Sequence, residues 1–373
     1  MTPKGDNFES GDFKDRINPA ALAGLGRDLK KVWPGFPEEE FMIRATAGLG
    51  ELELKARVIH VADALALTLP EDFPEAAAIL SQAPDSPDFD GWVVYAVDDY
   101  VARYGIDYPE VSLPLMALLT SRWSCEFAVR PFIEAHPKLT FEFFDRWIES
   151  DDEHLRRLVS EGSRPRLPWG AQLKGLVKDP SPTIALLDRL VDDPAIYVRK
   201  SVANHLNDIA KDHPELAIET GRRWIAEGGE AERRAWIVNH GMRSLIKAGN
   251  PAALALVGYD HDAEVEIAYF KVAPEAITIG EAVTIEFTLT APDSTPVMVD
   301  YRIHHAGANG VRAPKVFKLK SATLEPGTGT TFIRDHRIRE VTVRRIYPGP
   351  HLIEVQVNGR VLAAATVEVA AAG

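Results

Sequence analysis

Three carboxylates keep unusual company in this sequence. Glu126 lies in "RWSCEFAVRPF", three residues after Trp123 and four before Arg130. Glu161 lies in "LVSEGSRPRLPWG", where a glycine, Arg164, Arg166, two prolines and Trp169 follow it. Asp208 closes "VRKSVANHLNDIA". Carboxylates beside cations and an aromatic ring can stabilise developing positive charge or orient a water. Each also has an ordinary reading. Glu126 and Arg130 at i, i+4 make an exposed helical ion pair. Glu161 is a polar residue of a C-terminal helical turn, where it opposes the macrodipole. Asp208 is an exposed helix carboxylate opposite the core side marked by Val202, Leu206 and Ile209. Trp169, between Pro168 and Gly170, is held by stiff backbone, either capping the core between helices or facing a ligand. Arg164 and Arg166 bracket Pro165, which projects both guanidinium groups from an extended segment suited to phosphate or deoxyribose. Cys125 is a nucleophile by type, but its apolar surroundings read as core.

P-loop, dinucleotide, G-x-S-x-G and H-E-x-x-H motifs are absent. One cysteine excludes an internal disulfide framework and a cysteine-rich zinc site, and no metal or organic cofactor is expected. The net charge of −13 is uneven. Residues 1–120 hold 10 Lys+Arg against 21 Asp+Glu, while residues 121–260 hold 20 against 21. Local basic clusters therefore permit a polyanion partner despite the acidic total. The polar N-terminus and the lack of a long apolar run give the expectation of a cytoplasmic protein with no membrane segment.

The elements that position these groups change character once. From about residue 20 to 258, apolar residues recur at helical spacing, with prolines at 74, 109, 131, 137, 182, 194 and 214 at helix starts or breaks. Residues 143–163, 186–206 and 221–241 echo one another. Each has a helix ending in "DRW", "DRL" or "RRW", an acidic turn, and a basic pair (Arg156-Arg157, Arg199-Lys200, Arg233-Arg234) opening a second helix. Such spacing predicts a HEAT-like helical solenoid, with an irregular bundle as the alternative. Beyond 258 the period becomes two and turn signals recur. Strands are expected at 265–271, 282–290, 296–304, 315–322, 329–335, 350–357 and 360–369, an immunoglobulin-like β-sandwich ending in a "VNGRV" hairpin. The chain thus reads as α then β, with domains at 1–260 and 261–373.

The segments "RWSCEFAVRPFIEAHP", "LRRLVSEGSRPRLPWG" and "DPAIYVRKSVANHLNDIAKDHPE" resemble the AlkC branch of the AlkC/AlkD-type DNA alkylation repair glycosylases, subgroup with a C-terminal immunoglobulin-like domain. That resemblance spans essentially the whole chain. It implies an N-glycosylase removing N3-alkylated cationic bases, 3-methyladenine and 3-methylcytosine, from double-stranded DNA without flipping the base. It also implies a catalytic constellation of Glu126, Glu161, Trp169 and Asp208, with the general base left open among the carboxylates. Arg130, Arg156, Arg157, Arg164, Arg166, Lys174, Arg199, Lys200 and Arg243 are then the expected phosphate contacts. In the sandwich, Lys315, Lys318, Lys320, Arg337, Arg344 and Arg345 lie near strand ends. The loop with His304, His305 and Arg312 is expected to reach a groove as this domain closes on the DNA, with Lys315 at its end as a further DNA contact. A monomer without an obligate protein partner is expected. The competing classes are a non-enzymatic HEAT-like scaffold and a passive DNA-binding protein.

Overall fold

The computed structural model describes residues 13–86, 89–307, 310–340 and 345–371. Helices run from Pro19 to Leu256 and strands from Glu266 to Ala370. Local chemistry explains the helix starts. Asn18, Asp72, Asp152 and Asn250 each accept a backbone N–H of the first turn, and Pro19, Pro74 and Pro251 occupy first-turn positions that need no donor. Among the described residues no helix is long and apolar enough to cross a membrane.

The three echoing segments are three helix pairs: Pro137–Trp147 with Glu153–Gly162, Ser181–Leu190 with Ile196–Asp212, and Pro214–Ala226 with Ala231–Gly241. Their shared residues form contacts between successive pairs. Arg189 reaches Asp145 at 2.7 Å, and the Trp224 indole donates to Asp188 at 2.7 Å. Arg156 takes Asp193 with two nitrogens, at 2.6 and 3.1 Å, and Arg234 takes Asp192. Cys125 is fully buried, its Sγ 3.3 Å from Asp98 Oδ1, and burial pushes the thiol pKa well up. It is core, as its apolar surroundings suggested.

The strands are β1 (Glu266–Ala273), β2 (Ala276–Thr278), β3 (Ala282–Thr290), β4 (Thr295–His304), β5 (Ala306–Gly307), β6 (Gly310–Val311), β7 (Lys315–Leu324), β8 (Thr330–Arg337), β9 (Gly349–Val357) and β10 (Arg360–Ala370). All seven expected strands form; β2, β5 and β6 are too short to show a period. One sheet has the order β1-β3-β8, the other β2-β10-β9-β4-β7, and β5 pairs with β6. Alternate residues of β3 (Val283, Ile285, Phe287, Leu289) enter a core shared with Val299, Tyr301, Ile303, Ile353 and Val355.

Two compact units result. One ends at His213 and takes in Trp224–Ile237; the other comprises Pro214–Arg223 and everything from Val238 onward. The secondary structure changes where expected, but the compact division does not fall at 260/261. The last helices belong with the sandwich because the β9–β10 turn packs on them. Gly249 and Gly359 meet so closely that a Cβ on Gly359 would lie 2.7 Å from the Gly249 Cα. The turn itself is the expected Asn-Gly pair, with φ of 45° and 84°. Asn358 is 2% exposed. Its Oδ1 accepts from the Met298 amide at 2.8 Å, and its Nδ2 donates to the Asp260 carbonyl at 2.8 Å. Asn358→Ala strips these buried partners and should lower stability by about 2–3 kcal/mol in urea unfolding; a loss below about 0.5 kcal/mol would refute this role.

Candidate active site

Glu126, Glu161 and Asp208 come together in one alternating row of charge. Glu126 Oε2 accepts from Ser124 Oγ at 2.7 Å and from Arg157 Nη1 at 2.6 Å. Arg157 Nη2 lies 3.6 Å from Glu161 Oε1, which also accepts from Arg164 Nη1 at 2.7 Å. Arg164 Nε donates to Asp208 Oδ2 at 2.8 Å, and Lys211 donates to Asp208 Oδ1 at 2.9 Å. Ser201 completes Glu161, donating to Oε2 at 2.6 Å. The order is Glu126, Arg157, Glu161, Arg164, Asp208, Lys211.

This row is mostly hidden. Glu161 and Arg164 are each 6% exposed and Asp208 1%. Burial alone would raise the Glu161 pKa, but Arg157 and Arg164 beside it and the Ser201 hydrogen bond hold it below the ordinary 4.5. Arg157 also lies over the Tyr197 ring, 4.7 Å from its centroid. His205, fully buried, has Nδ1 2.9 Å from the Ser160 carbonyl. Burial lowers its pKa to about 4, so it is neutral near pH 7 and donates there.

The backbone of the corner after Glu161 is fixed by two cations. Arg130 Nη1 donates to the carbonyls of Gly162 and Arg164 at 2.8 and 2.7 Å, and its Nε donates to Ala171 O at 3.1 Å. Lys55 donates to the Trp169 carbonyl at 2.6 Å. Gly162 must be glycine, because a Cβ there would lie 2.5 Å from Val129 Cγ1. Within this frame Trp169 has φ of 68° and is 62% exposed. A non-glycine residue in that region costs about 1–3 kcal/mol and is held only where its surroundings over-determine it. Its ring stands edge-on to Phe13, 6.3 Å between centroids.

Several expectations change in role. Glu126 sits in a turn before the helix Arg130–Ala135, so it shares no helical face with Arg130. Arg130, expected at phosphate, is 3% exposed and bound to carbonyls; it holds the corner. Arg164 and Arg166 do not project from an extended segment. Arg164 turns inward between carboxylates, and Arg166 pairs with Asp212 through two nitrogens, at 2.6 and 2.7 Å. Arg156 is drawn to Asp193, and Arg199 Nη1 donates to the Pro194 carbonyl at 2.8 Å. Lys174 and Lys200 are exposed, while Arg243 donates to the His240 carbonyl at 2.7 Å. In the sandwich unit His305 is only 4% exposed, its Nδ1 3.1 Å from His351 Nδ1, so it cannot reach a groove from there. His304 Nε2 lies 2.8 Å from Glu354 Oε2, and Arg312 donates to the Arg345 carbonyl at 3.2 Å. Lys315, Lys318 and Lys320 are exposed on the sheet-edge strand β7, a placement that also discourages edge pairing. Arg344 and the tip residues 308–309 lie outside the described residues.

A family model described as "DNA alkylation repair enzyme" matches residues 120–238, the stretch holding all four expected catalytic residues. A second, described as "Uncharacterised protein YhaZ, C-terminal Ig-like domain", matches residues 266–371. The chain is 35% identical over 351 residues to the uncharacterized protein YhaZ of Bacillus subtilis, spanning 94% of this chain and 97% of that protein. It is similar, with a TM-score of 0.90 and 39% identity over 96% of this chain and 100% of the other, to the Pseudomonas fluorescens alkylpurine DNA glycosylase AlkC bound to DNA containing an abasic site analog. The chain belongs to the DNA alkylation repair enzyme family, in the AlkC branch with a C-terminal immunoglobulin-like domain.

For this AlkC-type chain, sequence reasoning missed Ser201, Ser124 and Tyr197, which finish the row, and misjudged Arg157 as equivalent to Arg156. A signal existed: Arg157 and Glu161 are four residues apart, and Arg164 follows three later, so all three share one side of the helix end. Two expected outcomes test the row. Arg164→Met leaves Glu161 and Asp208 buried around a missing cation and should cost about 3–5 kcal/mol in urea unfolding. Because the folded pKa of Glu161 lies below its unfolded value, its stabilisation is fully present above about pH 4.5 and is lost as pH falls through the lower folded value. The stability gap between the protein and Glu161→Gln should therefore shrink on acidification to about pH 3; a gap independent of pH would contradict the row.

Proposed function

We propose that the chain is a DNA glycosylase that hydrolyses the N-glycosidic bond of N3-alkylated cationic bases, 3-methyladenine and 3-methylcytosine, in duplex DNA, leaving the damaged base stacked. The observation that carries this reading is the convergence of three carboxylates in one buried row. It lies within a chain similar over nearly its whole length to an alkylpurine DNA glycosylase. N3-alkylation leaves the base cationic and already a good leaving group, so little general-acid assistance is needed. The demand is negative charge near the sugar as the C–N bond stretches and an oxocarbenium-like centre forms, with a water aimed at the anomeric carbon.

The residues divide that work. Glu161 and Asp208, with both oxygens engaged and their charge shared with Arg157, Arg164 and Lys211, act as fixed dipoles that need no reorganisation. Glu126 is 16% exposed, and its bonds from Ser124 and Arg157 both fall on Oε2. Its Oε1 therefore suits the attacking water, which it orients and relieves of a proton. The exposed face of Trp169 packs on the deoxyribose, adding about 0.5–2 kcal/mol as positive charge develops. Lys174 and Lys200, exposed in the structure, serve the phosphates.

The test is to incubate the protein with methylated duplex DNA and measure free 3-methyladenine, 3-methylcytosine and abasic sites. Glu126→Gln and Asp208→Asn should each lower the single-turnover rate by about 10²–10³ while duplex binding persists. Trp169→Ala should lower it by roughly 2–30-fold. DNA binding without release would identify a passive binder, and neither binding nor release a scaffold; either result rejects the proposal.

A further inference from the structure

Near the carboxylate row lies a cleft of about 270 Å³ whose walls, Trp169 apart, the proposed reaction does not use. The rings of Tyr95, Phe127 and Trp169 line it, and so do the apolar side chains of Val58, Ile59 and Leu173. Ile59 is 45% exposed and Trp169 62%, so open space borders both residues. The rings do not stop at the cleft. Tyr95 meets Phe127 at 5.5 Å and Trp123 at 6.0 Å, and Trp123 meets Trp92 at 4.6 Å. Trp92 meets Phe13 at 5.4 Å, and Phe13 meets Trp169. The row of aromatic rings thus begins and ends on the same cleft. Its volume falls below that of sites for drug-sized ligands and suits one flat ring system.

We infer that this cleft seats a single unpaired nucleobase, so that the protein engages single-stranded as well as duplex DNA. This rests on the glycosylase reading and widens its substrate class. A base in a duplex hides its faces against its neighbours, whereas a strand without a partner offers them at little cost. Aromatic faces accept every base, because every base has a π-face. Polar groups at the rim fit the remaining atoms. Lys55, exposed and bound by one N–H to the Trp169 carbonyl, keeps its other N–H groups for a phosphate, and the Asp99 and Glu134 carboxylates suit an exocyclic amine. The Tyr95 hydroxyl, its pKa pushed up to about 12 by burial and the nearby Asp99, stays a neutral donor. Phe127, on the cleft wall, follows Glu126 of the row in the chain. Chemistry gives the same strand a reason to be a substrate: N3 of cytosine lies on the pairing edge, so it is open to alkylation where the strand is unpaired.

The experiment uses the full chain. Fluorescence anisotropy measures binding of an unmodified oligothymidylate and of an unmodified duplex of equal length, for the protein and for Tyr95→Ala and Phe127→Ala. Removing a ring should weaken single-strand binding roughly tenfold and duplex binding several-fold less. Tyr95→Leu keeps apolar volume but removes the ring face, and should behave as Tyr95→Ala does; circular dichroism checks that each variant is folded. Excision of 3-methylcytosine from a single-stranded oligonucleotide should proceed at least as fast as from its annealed form. The inference is overturned if the single strand is not bound where the duplex saturates, or if folded variants lose affinity for both equally. These binding measurements use undamaged DNA. Their failure alongside normal duplex excision rejects the cleft alone, and absent excision with intact ring-dependent binding rejects the glycosylase reading alone.

Discussion

Arg157 and Arg164 make the rest of this site possible. Three carboxylates cannot be withdrawn from water side by side, because each buried charge costs several kcal/mol and each repels the next. Interleaving a guanidinium between each pair converts that repulsion into attraction, Ser201 and Lys211 satisfy the second oxygens of Glu161 and Asp208, and Ser124 adds a second bond to Glu126 Oε2. The result is a rigid strip of fixed charge running from a turn through a helix end to a central helix. Each member is held by its neighbours, so the strip is built or lost as one unit.

The corner between Glu161 and Gly170 follows from the same logic applied to backbone. Its carbonyls are gathered by the Arg130 guanidinium and the Lys55 ammonium, and this permits Trp169 a φ that a tryptophan would otherwise avoid. A large ring is thereby kept exposed, 62% of its surface, where burial with the other aromatics would be the favourable outcome. A charge row that is stable and a ring that is strained sit on the same short segment.

Much of the architecture was readable in the sequence, because it depends on short-range periodicity. The helix pairs at 137–162, 181–212 and 214–241, the seven main strands and the Asn358-Gly359 turn all follow from spacing and turn chemistry. What failed was assignment of partners. Arg130, Arg156 and Arg164 read as cations for phosphate, yet each is taken by a carbonyl or carboxylate tens of residues away: Arg130 by Gly162, Arg156 by Asp193, Arg164 by Asp208. Nothing in the local pattern of an arginine says whether its nearest anion will be internal.

The sequence by itself determined the order of helices and strands, the rigid corner at Pro165 to Trp169, and the identities of the carboxylates in question, since these depend on residue type and near neighbours. Only the tertiary structure decided that Glu126, Glu161 and Asp208 share one row, that Asn358 ties the last hairpin to the final helices, and that Tyr95, Phe127 and Trp169 face one cleft. Those outcomes depend on which side chains meet across 30 to 100 residues of chain. Long-range meetings are set by packing and desolvation of the whole unit, which no local spacing encodes.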